Sequence, residues 1–553
     1  MYSLTPLTGP LGKQNAGHLL RRATYGPTQK DIKEIALLTA EEAVNMLFET
    51  QDEPDAPIDP LTGENWVSPK PGEDNSDEEE LRKYFAAWHL ELMRKEPLNI
   101  REKITFFFHT HLPVAYSKVS LSTPVYYQNK LYRHFAFGSF KTMFRKLVID
   151  NAMLWYLDNT FNYVDEPNEN FAREMLELYT IGKGPQIGQG DYTNYTEDDI
   201  KEAARVLTGY IFDEEFTTYD QDLLPETQIA TGYVYTYDEN LAILHDPGVK
   251  NFSEKFQNQQ IQPDEVISGF ATKEATLTEL DEMIDMIFSQ EETAKFLVRK
   301  IYRYFVYYKI SDEVEEEIIV PLAETFRDND YSMVAVLKQL LKSKHFYDAD
   351  NSETTDDSIG ALIKSPLDLF MGALKFFKLD FPSEPDKLYR ELYGNVLLSY
   401  FYIMGMPLYN PEDVAGYPAY FQGPGYNRNW MTPTNLAYRY YPVYALILGI
   451  KNDDGEALLE FDIVGWLDHP DNISDPSNTK EMVREFTDGL FSKSLPEERL
   501  DYFIDNIFMD GLPSSYWTTE WVKYKDGGVD TTVRALLHRL LIGLMQSPEF
   551  QLF

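Results

Sequence analysis

The chain is 553 residues long and sets 50 Lys and Arg against 90 Asp and Glu, a formal charge of −40. A surface this acidic repels a phosphate backbone and an anionic leaflet alike, which excludes generic nucleic-acid and membrane-surface binding. Cysteine is absent, so disulfides, thiolate metal clusters and cysteine nucleophiles are excluded, and any metal has to be held by carboxylates, carbonyls or the nine His.

In chain order, Met1–Pro6 lacks the basic and apolar regions of a signal peptide. The chain is cytoplasmic if that start is native, and periplasmic or secreted if a leader has been removed. Apolar residues at helical spacing predict helices over 39–48, 81–93, 100–111, 125–135, 140–156, 169–181 and 197–208. Residues 51–77, rich in Pro, Gly, Asp and Glu, form a loop excursion. Over 210–244, Thr, Tyr and Val alternate with acids, as in a small β hairpin. Helices resume over 276–305, 312–326, 332–343, 359–377 and 385–404. The stretch 407–430, full of Gly, Pro and Tyr, is a long ordered loop or lid, and the remainder to Phe553 is helical.

The expected fold is therefore mainly α: a large multi-helix globular body with a small β hairpin insertion near 210–244. It divides into a helical core over 1–450 and a C-terminal helical extension over 451–553 packed on that core. The longest apolar stretch, Val396–Tyr409, is too short and too broken for a transmembrane segment. Residues 337–346 faintly echo 540–550: both are helices that stop at Ser and then supply an aromatic, which shared capping chemistry explains as well as duplication does.

Several polar clusters stand out. His109 and His111 lie roughly 200° apart on a continuous helix, but converge on one metal ion if the turn is terminal or extended. The plainer reading pairs His109 with Glu102, lets His111 cap the helix end, and gives Asn99 and Glu102 a capping box. His245 and Asp246 supply two ligands, a base with its orienter, or simply an Asp-Pro-Gly turn. Asn170, Glu174 and Glu177 have the spacing of ligands in helix-bundle metal sites, while a Glu169–Arg173 pair on a solvated face accounts for the same pattern. Arg21 and Arg22, adjacent in an acidic chain, suit a carboxylate or phosphate. No dinucleotide fingerprint, P-loop or nucleophile elbow occurs in a usable context.

Seven of these stretches, in order, resemble the bacterial family known as domain of unknown function 1800. They are HLLRRATYG (His18–Gly26), REKITFFFHTH (Arg101–His111), NENFAREMLELYTIG (Asn168–Gly182), YTEDDIKEAARVLTG (Tyr195–Gly209), HDPGVK (His245–Lys250), IKSP (Ile363–Pro366) and NPEDVAGYP (Asn410–Pro418). The family tends to carry Trp, Asn and Trp where this chain has Phe108, Thr110 and Tyr417. The resemblance implies a large helical protein, often exported and often encoded beside a protein of domain of unknown function 1501, a candidate partner. It implies no reaction.

Two functional expectations follow. The first is a divalent-metal-dependent enzyme, hydrolase before oxidoreductase, acting on an anionic or carbohydrate-type substrate. His109, His111, His245 and Asp246 hold the metal, Glu174 or Glu177 is a ligand or general base, and Arg22 and Arg173 orient the substrate. The second is a non-catalytic envelope or surface protein that binds glycan or a partner protein through the aromatic loop 407–430.

Overall fold

The computed structural model describes residues 2–67, 77–224, 227–238, 240–352 and 357–553. Residues 68–76 of the loop excursion, and 225, 226 and 239 of the hairpin region, lie outside that range. Helices dominate, and among the described residues the strands pair only as two-stranded antiparallel ladders. The chain is mainly α, as its periodicity predicts. No helix among the described residues is long and apolar enough to cross a membrane.

Local capping chemistry fixes where helices begin and break. Thr39 and Thr196 each accept from the backbone three residues on, and the side chains of Glu42 and Asp199 return the bond. Asp150 caps a fresh helix and so splits the predicted 140–156 into Phe140–Leu147 and Asn151–Tyr156. The predicted 359–377 starts only at Pro366, because a residue before proline is pushed out of the helical region; Ser365 there becomes the cap. The echo between 337–346 and 540–550 is likewise capping: Ser343 and Ser547 each donate their hydroxyl to a carbonyl of the preceding turn, at 2.6 and 2.7 Å.

The elements that matter below are α1 (Gly12–Ala23), α2 (Glu78–Lys95), α3 (Arg101–His111), α4 (Ser122–His134), α5 (Asn170–Glu174) and α6 (Glu197–Val206). They are followed by α7 (Lys273–Ser289), α8 (Glu291–Phe305) and α9 (Pro366–Phe377). The predicted 169–181 helix runs as α5 and then widens to a π-turn over Met175–Tyr179. The hairpin is present but short: Tyr210–Ile211 (β1) pairs antiparallel with Tyr233–Val234 (β2). One contiguous cluster of buried apolar side chains extends from Leu11 to Phe550.

At its centre lies a charge. Glu102, 2% exposed on the first turn of α3, accepts both arms of Arg133 from α4, at 2.6 and 2.8 Å, and the Nε2–H of His89 from α2 at 2.8 Å. The anticipated capping box is therefore not formed. Asn99 accepts instead from the Arg101 backbone, and its amide donates to the Glu49 carbonyl. Arg133→Met would strand Glu102 without its counter-charge, and should lower unfolding stability by about 3–5 kcal/mol in a denaturant titration. A loss below about 1 kcal/mol would show the ion pair to be dispensable.

Candidate functional site

The polar centre continues from Glu102 into the loop 407–430. Because Glu102 can only accept, His89 carries its proton on Nε2 and presents a lone pair at Nδ1, which takes the phenolic hydrogen of Tyr409. Asn129 of α4 donates to the same phenol oxygen at 3.1 Å. Tyr409 is 2% exposed and sits at φ 58°, a left-handed conformation that costs a side-chain-bearing residue roughly 1–3 kcal/mol and that the surrounding bonds sustain. His109 packs its ring 4.4 Å from the Tyr409 ring, and neither of its nitrogens has a hydrogen-bond partner.

Beside this centre, three small cavities adjoin one another, the second and third of them under the same loop. The first holds about 30 Å³ and is bounded by α1, α9 and the chain terminus at Phe553; its polar walls include Arg21, Tyr25, Lys364 and Asp368. The second, also about 30 Å³, shares Asp368 and Phe553 with the first and adds Lys103, Arg303, Tyr304, Tyr420 and Trp430. The third, about 20 Å³, shares Tyr304 and Tyr420 with the second and adds Thr110, His111 and Lys300. Each of the two larger spaces takes roughly two waters or one small anionic group.

Five cations thus line these cavities against a single carboxylate, Asp368, which Lys103 and the Ser365 hydroxyl already engage. Among the described residues, Arg21, Lys300, Arg303 and Lys364 have no carboxylate within ion-pair distance. Their neighbour Arg299, one position from Lys300, holds both Glu292 and Glu315. Burial and then Arg303 push Lys300 down to about 8. Close by, Arg22 is 1% exposed, donates to the Ser358 carbonyl at 3.1 Å, and keeps Nε and Nη1 without partners; burial brings it down to about 9.

The residues singled out from sequence fall into separate neighbourhoods. His111 donates Nε2–H to the Tyr179 carbonyl at 3.1 Å and borders the third cavity, while His109 faces Tyr409. His109 does not pair with Glu102, which takes His89 and Arg133 in its place. His245 points both ring nitrogens at acceptors, Glu279 of α7 at 2.5 Å and the Thr208 carbonyl at 2.9 Å, and Lys250 joins Glu279 at 2.6 Å. Asp246 turns the other way, to Arg205 of α6 at 2.7 Å and the Gly248 backbone. Arg173 bridges Glu169 and Glu197, and Glu177 accepts from Lys183 and Tyr195. Glu174 is half-buried, and burial and then Glu177 raise its carboxyl above the usual range. No group of three or more His, Asp or Glu among the described residues is disposed to hold a metal ion.

Sequence reasoning passed over His89, Tyr409, Lys103, Lys300, Arg303 and Asp368. The one available signal was on α8, where Lys300 and Arg303 stand a turn apart with no acid three or four residues from either on its inner face.

A family model described as protein of unknown function (DUF1800) matches residues 18–552. The chain belongs to that family. Neither the curated proteins nor the solved structures contain a match to it.

Burial keeps His109 and His111 neutral in the folded chain down to about 3, with His89 and Lys300 respectively adding to the effect, whereas an unfolded histidine protonates near 6.5. Between those values the unfolded chain binds more protons, so stability falls as pH drops from about 6.5 toward 3. The urea midpoint should be lower at pH 5 than at pH 7, and His109→Leu should shrink that difference. Equal midpoints for the wild type would contradict the burial of neutral imidazoles.

Proposed function

We propose that this chain binds, and as an enzyme acts on, an anionic small molecule in the three adjoining cavities. The observation that carries the reading is the inversion of charge: a protein of −40 overall lines these three cavities with five cations and one carboxylate. An unpaired buried cation costs several kcal/mol, and an anionic ligand offsets that cost. The aromatic walls of the second cavity, Tyr304, Tyr308, Tyr420, Tyr426 and Trp430, suit a small flat anion. Arg22, proposed from sequence to orient substrate, lies against the Phe553 ring at 4.5 Å and supports these walls from behind. The glycan- or partner-binding alternative draws less support, since Tyr409, Tyr417 and Trp430 of its loop are buried.

The test is thermal unfolding in phosphate against chloride at equal ionic strength. A ligand at a hundred times its Kd adds about 2.7 kcal/mol, so a rise of about 2 °C is expected for a chain of this size, abolished in Lys364→Met/Arg303→Gln, which removes a cation from the first and from the second cavity. The same rise in that variant would move the anion elsewhere and overturn the assignment.

A second reading, divalent-metal hydrolysis or oxidation, has one observation in its favour: the two unpartnered nitrogens of buried His109. Elemental mass spectrometry of protein purified without chelator or a nickel column decides it. Near-stoichiometric metal that disappears in His109→Ala supports it, and metal-free protein removes it.

A further inference from the structure

We propose that Lys364 is a nucleophilic amine that forms an imine with a small 2-oxo acid in the first cavity. This rests on the anion-binding reading and names the substrate class for the same site.

Lys364 lies in the IKSP run ahead of α9 and is held rigidly. Its backbone N–H donates to the Gln551 carbonyl at 2.9 Å, and its own carbonyl accepts from Arg439 at 2.8 Å, an arginine fixed in turn by the Gln551 side chain at 2.8 Å. The side chain is 6% exposed and borders the cavity together with Arg21, Tyr25 and Asp368. Its nitrogen sits 4.2 Å from the centre of the Phe550 ring. Among the described residues it has no carboxylate partner and no hydrogen-bond acceptor, and Asp368 is already engaged by Lys103. An amine walled by rings and facing guanidinium groups is poorly stabilised as an ammonium; burial and then Arg21 push it well below the ordinary lysine range. A free lone pair on an enclosed lysine is the requirement for attack on a carbonyl.

The chemistry balances within the cavity. The Nζ lone pair bonds to the carbonyl carbon and the carbonyl π pair moves to oxygen. The two amine hydrogens leave with that oxygen as water, so C=N replaces C=O without oxidation or reduction. Tyr25, whose phenol burial keeps protonated, borders the same space and is placed to donate to the departing oxygen. Arg21, whose Nη2 already donates to the Gly489 carbonyl, supplies the positive charge that faces the carboxylate of the acid. A space of about 30 Å³ restricts the site to the smallest members of the class, glyoxylate first.

The experiment is reductive trapping of the full chain with glyoxylate and cyanoborohydride, read by peptide mapping, with acetaldehyde as the uncharged comparison. An adduct on Lys364 well in excess of that on surface lysines is expected, weaker with acetaldehyde, and lost in Lys364→Arg, whose fold is checked by its melting curve alongside Lys364→Met. Labelling of Lys364 no greater than that of surface lysines overturns the nucleophile. Equal labelling by acetaldehyde overturns the 2-oxo acid class. A phosphate-induced rise in melting temperature that persists when no adduct forms separates failure of this inference from failure of anion binding.

Discussion

A carboxylate ionised in the middle of a helical core is tolerable only if its lone pairs are saturated, and Glu102 meets that condition with a guanidinium fork and an imidazole N–H. Its partners come from α2 and α4, so satisfying one charge fixes the mutual placement of three helices. The constraint then passes outward. His89, oriented by Glu102, has its remaining lone pair in the one position that receives the Tyr409 phenol, and Tyr409 anchors a loop that would otherwise have little regular structure to hold it. The backbone reinforces the anchor, since the Tyr116 amide donates to the Tyr409 carbonyl at 3.0 Å. The roof of the second and third cavities, with Ala415, Tyr420 and Trp430, therefore hangs from a carboxylate on the far side of a histidine.

The distribution of charge sorts itself by depth. Acids crowd the exposed faces, where many join lysines and arginines in solvent-screened pairs of small individual worth, such as Lys30–Glu34 and Lys201–Asp198. Below them, cations outnumber acids around the cavities. The two arrangements are complementary: an acidic exterior lowers the approach of anions generally, while a locally positive interior retains the one that fits its walls. Selectivity of this kind comes from the site's shape and its fixed donors, with little contribution from long-range attraction.

Periodicity is enough to recover the helical class, because apolar spacing acts over a few residues; it misplaces the start at 359 because it does not register the Ser365 cap ahead of Pro366. The other errors arise where a distant partner outcompetes a local one. Asn99 and Glu102 have capping-box spacing, yet Glu102 gains more from Arg133, 31 positions away, than from its own helix start. His109 and Glu102 have the spacing for contact, yet His89 occupies that place. The cavity was the least legible feature, for Arg21, Lys103, Lys300 and Lys364 come from four well-separated segments, and nothing in the spacing of any one of them points to the others. The family's motifs did flag Arg21 and Lys364, though not their meeting. His245 and Asp246, adjacent in sequence, show the converse: neighbours along the chain turned to different partners.

The width of the first cavity depends on one missing side chain. Gly26, at φ 111°, ends the turn after α1, and a β-carbon built there would lie 2.7 Å from the Cα of Gly372 on α9. Both glycines border the cavity, so the two backbones approach closely along one of its walls, with no room for a β-carbon on Gly26, although one on Gly372 would meet only the Tyr25 carbonyl at 4.0 Å. Such a contact behaves as a fulcrum. The spacing between α1 and α9 cannot shrink, and any widening pivots about that point, carrying Arg21 on one arm and Asp368 on the other. The floor of the cavity is in this sense made of main chain, and its dimensions are less open to drift by substitution than those of a floor built from side chains.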